Sequence, residues 1–341
     1  MNDIEIQFNT IENELSDRFL PHHNRDLRLS KIYEDLGKLQ RADRVLNCGT
    51  QLEFLATEDL SESPTLHHAN FCKDRLCSMC AWRRSLKVFG QVSQVMDELQ
   101  RTAPFQFVFV SLTVRNCSSD ELKEKVNYLM KSFLKFERNY TIKRAFLGYF
   151  KALEITRNPE QTPDLEYHPH LHCIFAVDKD YFTSKDYISH TKLCALWKQA
   201  LGVDYYPQVD IRKVRPEKIT DNEYIALGKA VAEVAKYAVK SDDYLDGDPI
   251  TVQHRVLTFL ESLTGRRLCS FGGIFKDIAR QLDLDDLTDG DLVHTDNLPI
   301  RNDIRHLIIR YEWRVGFGYQ RIYTRYADDL DDPPHQKQKK R

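Results

Sequence analysis

The chain has 341 residues, enough to bury a core and to hold two domains, and its 49 Lys+Arg against 51 Asp+Glu leave a net charge of −2. That balance, with a pI of about 6.6, does not by itself mark a nucleic-acid binder. No stretch approaches the ~20 consecutive apolar residues of a membrane span and the polar start lacks a signal-peptide core, so we expect a soluble cytoplasmic protein with no membrane partner. The charge is uneven: residues 73–144 hold 14 Lys/Arg against 7 Asp/Glu, whereas 283–291 and 328–332 are acidic. A basic middle between acidic segments can still hold a polyanion. Eight cysteines without a secretion signal point to thiols or metal ligands rather than disulfides.

Residues 1–45 are polar and helix-prone. Cys48 to Cys80 carries four of the cysteines, and "SLKVFGQVSQVMDELQ" (85–100) repeats apolar residues at helical spacing. "FQFVFVSLTV" (105–114) reads as a buried strand, and 120–138 as a helix with Ser118 or Ser119 near its cap. "LGYFKALEIT" (147–156) and "HLHCIFAV" (170–177) read as strands. The roughly ten loop residues between them suit antiparallel neighbours better than a parallel crossover. A helix over 185–200, a strand "QVDIRKV" over 208–214 and a helix over 221–240 follow. The pattern weakens beyond 250, and "DDPPHQKQKKR" has a disordered composition.

Three patterns carry chemistry. In "YHPHLHCIFAVD", His168, His170 and His172 share one strand face, with Leu171, Cys173, Phe175 and Val177 on the other. Imidazoles so placed can bind a divalent cation. Glu154, a carboxylate at the centre of a neighbouring strand, is costly there unless paired or bound to metal. An ordinary solvated sheet face is the alternative. In "AVAEVAKYAVK", Glu233 and Tyr237 stand one helical turn apart beside Lys236 and Lys240. A phenol near pKa 10 is a poor nucleophile until a cation, metal or base assists it, and Lys240 is placed to steady a phosphate or phenolate. Glu, Lys and Tyr on a helix also make an ordinary solvated face. Cys48, Cys72, Cys77 and Cys80 form C-x23-C-x4-C-x2-C, which suits a closed structural Zn2+ site. Cys48 is distant, and His67 or His68 could replace it. Arg83, Arg84 and Lys87 beside Trp82 form a candidate phosphate-contact surface, or a charged helix start.

Taken in order, "CGTQLEFL", "ANFCKDRLCSMCAWRRS", "FVFVSLTVRN", "HPHLH", "EVAKYAVK" and "SFGGIFKD" resemble the replication initiators of rolling-circle plasmids, within the HUH endonuclease superfamily, from about Cys48 to Phe275. The resemblance implies a bacterial protein with Mn2+ or Mg2+ at His170 and His172, completed by Glu154, with His168 at a less fixed position. It implies Tyr237 as nucleophile and Glu233 as general base at termination, in the branch with a single tyrosine. It further implies plasmid origin DNA, single-stranded or as a hairpin, as substrate, with the host helicase and polymerase as partners. The absence of a G-x-x-x-x-G-K-[ST] loop agrees with religation that needs no nucleotide.

The implied fold is α+β: an HUH endonuclease-like antiparallel sheet with helices packed mainly on one face, plus a small Cys-rich zinc module. The chain divides into an N-terminal helical segment (1–45), a zinc-binding module with a linking helix (46–100), a nickase catalytic domain (101–245), a C-terminal segment packing on it (246–325) and a disordered tail (326–341). The competing readings are a single-strand DNA transposase of the same superfamily, a non-catalytic zinc DNA-binding regulator and a metallohydrolase that has no use for Tyr237.

Overall fold

The computed structural model describes residues 3–158, 160–162, 166–214, 225–235, 238–295 and 305–327. Its elements run α1 (Asp3–Asp35), α2 (Leu39–Leu46), β1 (Gln51–Thr57), β2 (Thr65–Ala69), α3 (Ser78–Thr102), β3 (Gln106–Thr113), α4 (Leu122–Arg138), α5 (Tyr140–Ala145), β4 (Gly148–Arg157) and β5 (Tyr167–Val177). After these come α6 (His190–Leu201), β6 (Val209–Lys213), α7 (Ile225–Val234), α8 (Asp242–Leu245), α9 (Pro249–Leu263), β7 (Cys269–Gly273), α10 (Ile274–Gln281), β8 (His306–Arg314) and β9 (Gly318–Tyr326). No helix among the described residues is long and apolar enough to cross a membrane.

The α+β class holds, with two antiparallel sheets. One has strand order β6-β3-β5-β4-β7 and puts the histidine strand at its centre; the other is β2-β1-β8-β9. β4 and β5 are antiparallel neighbours, and Glu154 stands opposite His170.

The period-2 alternation of β5 divides the core. Leu171, Cys173, Phe175 and Val177 face Val108, Val110 and Leu112 of β3, and this face is covered by Leu129 and Phe133 of α4, Trp197 of α6 and Phe259 of α9. Each such side chain contributes about 1.5–3 kcal/mol when buried. The opposite face is apolar over half its length. There Phe109, Phe150 and Ile174 pack under Val92, Val95 and Met96 of α3 and under Val231 and Val234 of α7. Helices lie on both faces of this sheet, because α3 and α7 each carry an apolar stripe that needs a sheet to cover.

Pro169 interrupts a strand that is otherwise central. The β3 ladder stops at the Thr113–His170 pair, so a residue without an N–H costs no ladder bond on that side. On the far side of β4, Ile155, which stands opposite Pro169, donates its N–H to the Ala238 carbonyl at 2.8 Å. That same bond draws the chain after α7 onto β4. The helix expected over 221–240 ends at Val234, so Glu233 and Lys240 do not share a helical face.

The glycines of "SFGGIFKD" end edge strand β7. A Cβ on Gly272 would fall inside the Tyr149 ring, and Gly273, at φ +55°, abuts the Leu147 carbonyl as α10 begins.

Candidate active site

β4 and β5 bring three side chains to one point. His172 Nε2 lies 2.6 Å and His170 Nε2 3.1 Å from Glu154 Oε2, and the two Nε2 atoms are 3.1 Å apart. All three residues are buried. The register explains the convergence: Glu154 pairs with His170, and His172 stands two residues further along the same face. Burial opposes ionisation of Glu154, but hydrogen bonds from His170 and His172 outweigh it and hold the carboxyl well below the usual carboxylate range.

The outer nitrogens set the tautomers. His170 Nδ1 lies 3.0 Å from the His168 carbonyl, which can only accept, so that nitrogen carries a proton and the ring is held with Nε2 inward. His172 Nδ1 is 2.9 Å from Ser111 Oγ on β3. A donor set of two imidazole Nε2 atoms and one carboxylate, each imidazole braced at its far nitrogen, fits a divalent cation and leaves room for further ligands. His168 is not drawn into this cluster. Its Nδ1 bonds Asn116 Oδ1 at 2.6 Å, and burial, with His170 nearby, pushes its pKa down to about 4.

Tyr237 and Lys236 lie outside the described residues. Glu233 is half-buried near the end of α7. Lys240 is exposed and lines a different cavity, together with His22, Arg25, Ser78 and Tyr244.

The second cluster is sulfur. Cys48 Sγ lies 3.5 Å from both Cys77 Sγ and Cys80 Sγ, and Cys72 Sγ is 3.7 Å from Cys80 Sγ. Cys48, not His67 or His68, closes the set, and no disulfide forms among these cysteines. Backbone N–H groups of Cys72, Lys73, Asp74 and Cys80 point at the sulfurs over 3.1–3.4 Å. Burial opposes a thiolate at Cys80, but the neighbouring thiols and Arg84 overcome it and hold its pKa well below the ordinary thiol value. Four thiols with N–H donors to their charge fit a closed tetrahedral Zn2+ site.

The basic trio at the start of α3 does not form the exposed surface expected of it. Arg83 donates to the Leu292 and Val293 carbonyls and to Thr295 Oγ1. Arg84 donates to the Thr288 carbonyl, and Lys87 pairs with Asp285 at 2.7 Å. All three are buried because the acidic 285–295 segment lies across them. A charge count over 73–144 alone could not reveal a counter-charge two hundred residues later.

Two supporting residues escaped the sequence reading. Ser111 had a signal, as one of two hydroxyl residues, with Thr113, in the apolar run "FVFVSLTV". Asp26 had none: its carboxylate accepts from the Ser78 and Met79 N–H groups and from Cys77 Sγ, more than fifty positions away.

Known proteins resemble this chain over most of its length. A family model described as replication protein matches residues 63–321. A protein described as "Protein rep" from a Bacillus species is 36% identical over 294 residues, covering 83% of this chain and 93% of that protein. A "Protein rep" from Bacillus amyloliquefaciens is 38% identical over 264 residues, 74% of this chain and 76% of that one. Another, from Streptococcus pneumoniae serotype 2, is 36% identical over 277 residues, 79% and 81% of the two chains. No solved structure matches the chain. A match over most of the chain, with several relatives above 30% identity across more than two thirds of it, places this chain in the replication-protein family of plasmid replication initiators.

Proposed function

We propose that this replication initiator is a site-specific, metal-dependent DNA nickase and strand transferase that begins and ends rolling-circle replication through a 5′-phosphotyrosine intermediate. The observation that carries the reading is the convergence of Glu154 Oε2 with the two Nε2 atoms of His170 and His172, at 2.6 and 3.1 Å. Bound by these three, Mn2+ or Mg2+ supplies Lewis-acid polarisation of the scissile phosphate.

The chain's own groups do the rest. Ser111 and the His168 carbonyl hold the imidazoles with Nε2 inward, and Glu154 stays ionised. The phenolic oxygen of Tyr237 attacks phosphorus in line; the P–O3′ bond breaks, and the leaving oxygen takes a proton to become a 3′-OH primer. The new phosphodiester to tyrosine preserves the bond energy, so the reverse attack by a 3′-OH reseals the strand without a nucleotide. Glu233 removes a proton from water at termination, freeing the protein by hydrolysis of the tyrosyl ester. The hydrogen bond from Ile155 to Ala238 supports Tyr237's role, because it ties the residue after the tyrosine to the residue after Glu154. Zn2+ at the four cysteines is structural in this reading.

The test is a labelled single-stranded origin oligonucleotide incubated with the protein, with and without Mn2+, and run on a denaturing gel. A covalent protein–DNA band is expected with Mn2+ and is expected to vanish in Tyr237→Phe while origin binding persists. A band that survives the substitution removes Tyr237 from its role.

A further inference from the structure

A small cavity of about 50 Å³ beside the candidate active site is lined by Arg75, Arg84, Ser85, Ala152, Ala235 and Ala238, among others. Three of these locate it. Ala152 is the cross-strand partner of His172, and Ala235 and Ala238 stand on either side of residues 236–237 in the chain. The arginines come from the sulfur cluster: Arg75 sits in the loop between Cys72 and Cys77, and Arg84 lies one turn past Cys80 in α3.

Their positive charge is only partly answered. Arg75 Nη2 meets Asp289 Oδ1 at 3.1 Å and the Arg266 carbonyl at 3.4 Å, while its Nη1 is buried with no hydrogen-bond partner among the described residues. Arg84 Nε donates to a neutral carbonyl, that of Thr288, at 3.3 Å. Burial, and after it the nearby Arg84 guanidinium, make the charge on Arg75 costly, and an anion beside Arg75 lowers that cost. Paired guanidiniums match the oxygens of a phosphate group, and a cavity of this size has room for a few waters that such a group would displace. Of the three basic residues at the start of α3, Arg84 alone lines it.

We propose that this cavity binds one phosphodiester group of the DNA strand engaged at the Glu154–His170–His172 site, and that the cysteine centre serves to hold Arg75 and Arg84 there. The proposal rests on the nicking reading for the identity of the strand. Its test uses the full, zinc-loaded chain and a fluorescent single strand of about 20 nucleotides, since a phosphate contact is read without regard to sequence. Arg75→Gln and Arg84→Gln are each expected to weaken binding about tenfold and to flatten the slope of log affinity against log salt by about 0.7, with Arg84→Lys keeping part of the affinity. Mn2+ affinity is expected to stay unchanged.

Because both arginines adjoin the sulfur cluster, Ser85→Glu guards against a folding artefact. It places a carboxylate in the wall of the cavity, so zinc content and melting temperature are expected to hold while strand binding falls as far as in the arginine variants. Affinity within twofold of the parent in both Ser85→Glu and Arg84→Gln, with an unchanged salt slope, overturns the proposal. If inorganic phosphate raises the melting temperature of the parent but not of Arg84→Gln while strand affinity is unmoved, the cavity takes free phosphate and the strand assignment falls. The Mn2+-dependent covalent band, read in the same preparations, reports on the nicking reading separately.

Discussion

The cysteine cluster and the Glu154–His170–His172 cluster are assembled from different kinds of structure. Cys48 follows α2, Cys72 and Cys77 lie in a loop, and Cys80 lies in the first turn of α3, so four sulfurs gather where the chain has little regular structure to hold it. Glu154, His170 and His172 come from two adjacent strands in the middle of a five-stranded sheet whose apolar residues are buried whether or not an ion is present. A set of four ligands that closes on itself builds structure; three ligands on a rigid frame leave coordination positions for a substrate. On the proposed reading, the chain separates two uses of a metal, one that would fold a module and one that would act on a phosphate.

The largest effect that would break this comparison is on stability. Cys77→Ala, or chelation of the folded chain, is expected to cost about 4 kcal/mol or more and to lower the melting temperature by roughly 10 °C. A melting curve indifferent to chelation would mean the sulfurs do not hold a structural ion. Glu154→Gln is expected to do the reverse: Mn2+ affinity falls about a hundredfold, measured by titration calorimetry, while the melting temperature moves by less than about 3 °C. An equal thermal loss in both variants would erase the distinction.

Ser111→Ala sharpens the comparison at a finer level. It removes the hydroxyl beside His172 Nδ1 and leaves the ligand atoms in place. About a tenfold loss of Mn2+ affinity is expected, with Zn2+ content untouched. Unchanged Mn2+ affinity would show that the sheet alone aims the imidazole.

How much of this was legible in the sequence depends on distance along the chain. The histidine strand, Glu154 and the strands around them were readable because period-2 alternation and a costly mid-strand carboxylate are local signals. The sulfur cluster was readable from spacing. The burial of Arg83, Arg84 and Lys87 was not, since their partners lie in 285–295. Nor was the pairing of β1 with β8, in which Gln51 meets Glu312 and Thr57 meets His306. An edge contact across some 250 residues leaves no periodic trace in either segment. The end of α7 at Val234 was hidden for a similar reason, because the bond that draws the chain away comes from Ile155.

The smallest effect concerns the 285–295 segment, which the basic residues of α3 hold against the sulfur module. Its exposed end is pinned by His294 Nδ1 to Asp291 Oδ2 at 2.5 Å. The hydrogen bond that His294 donates to Asp291 raises the His294 pKa above its ordinary value against the pull of burial. Burial in turn opposes ionisation of Asp291, but His294 and the Val293 N–H overcome it and hold that carboxyl low. A raised histidine contributes stability below about pH 6.5 and loses it as pH climbs through its folded value, while a depressed carboxylate contributes above about pH 4 and loses it on acidification. The pair is therefore fully effective between about pH 4 and 6.5. Both side chains are about half exposed, so solvent screening leaves about 0.5 kcal/mol at most. Amide exchange across 285–295, corrected for intrinsic rates, is expected to be roughly twofold slower at pH 6 than at pH 8, and His294→Gln is expected to abolish the difference. If the segment is equally protected at both pH values, then Arg83, Arg84 and Lys87 pin it alone, and its attachment to the sulfur module is independent of pH in this range.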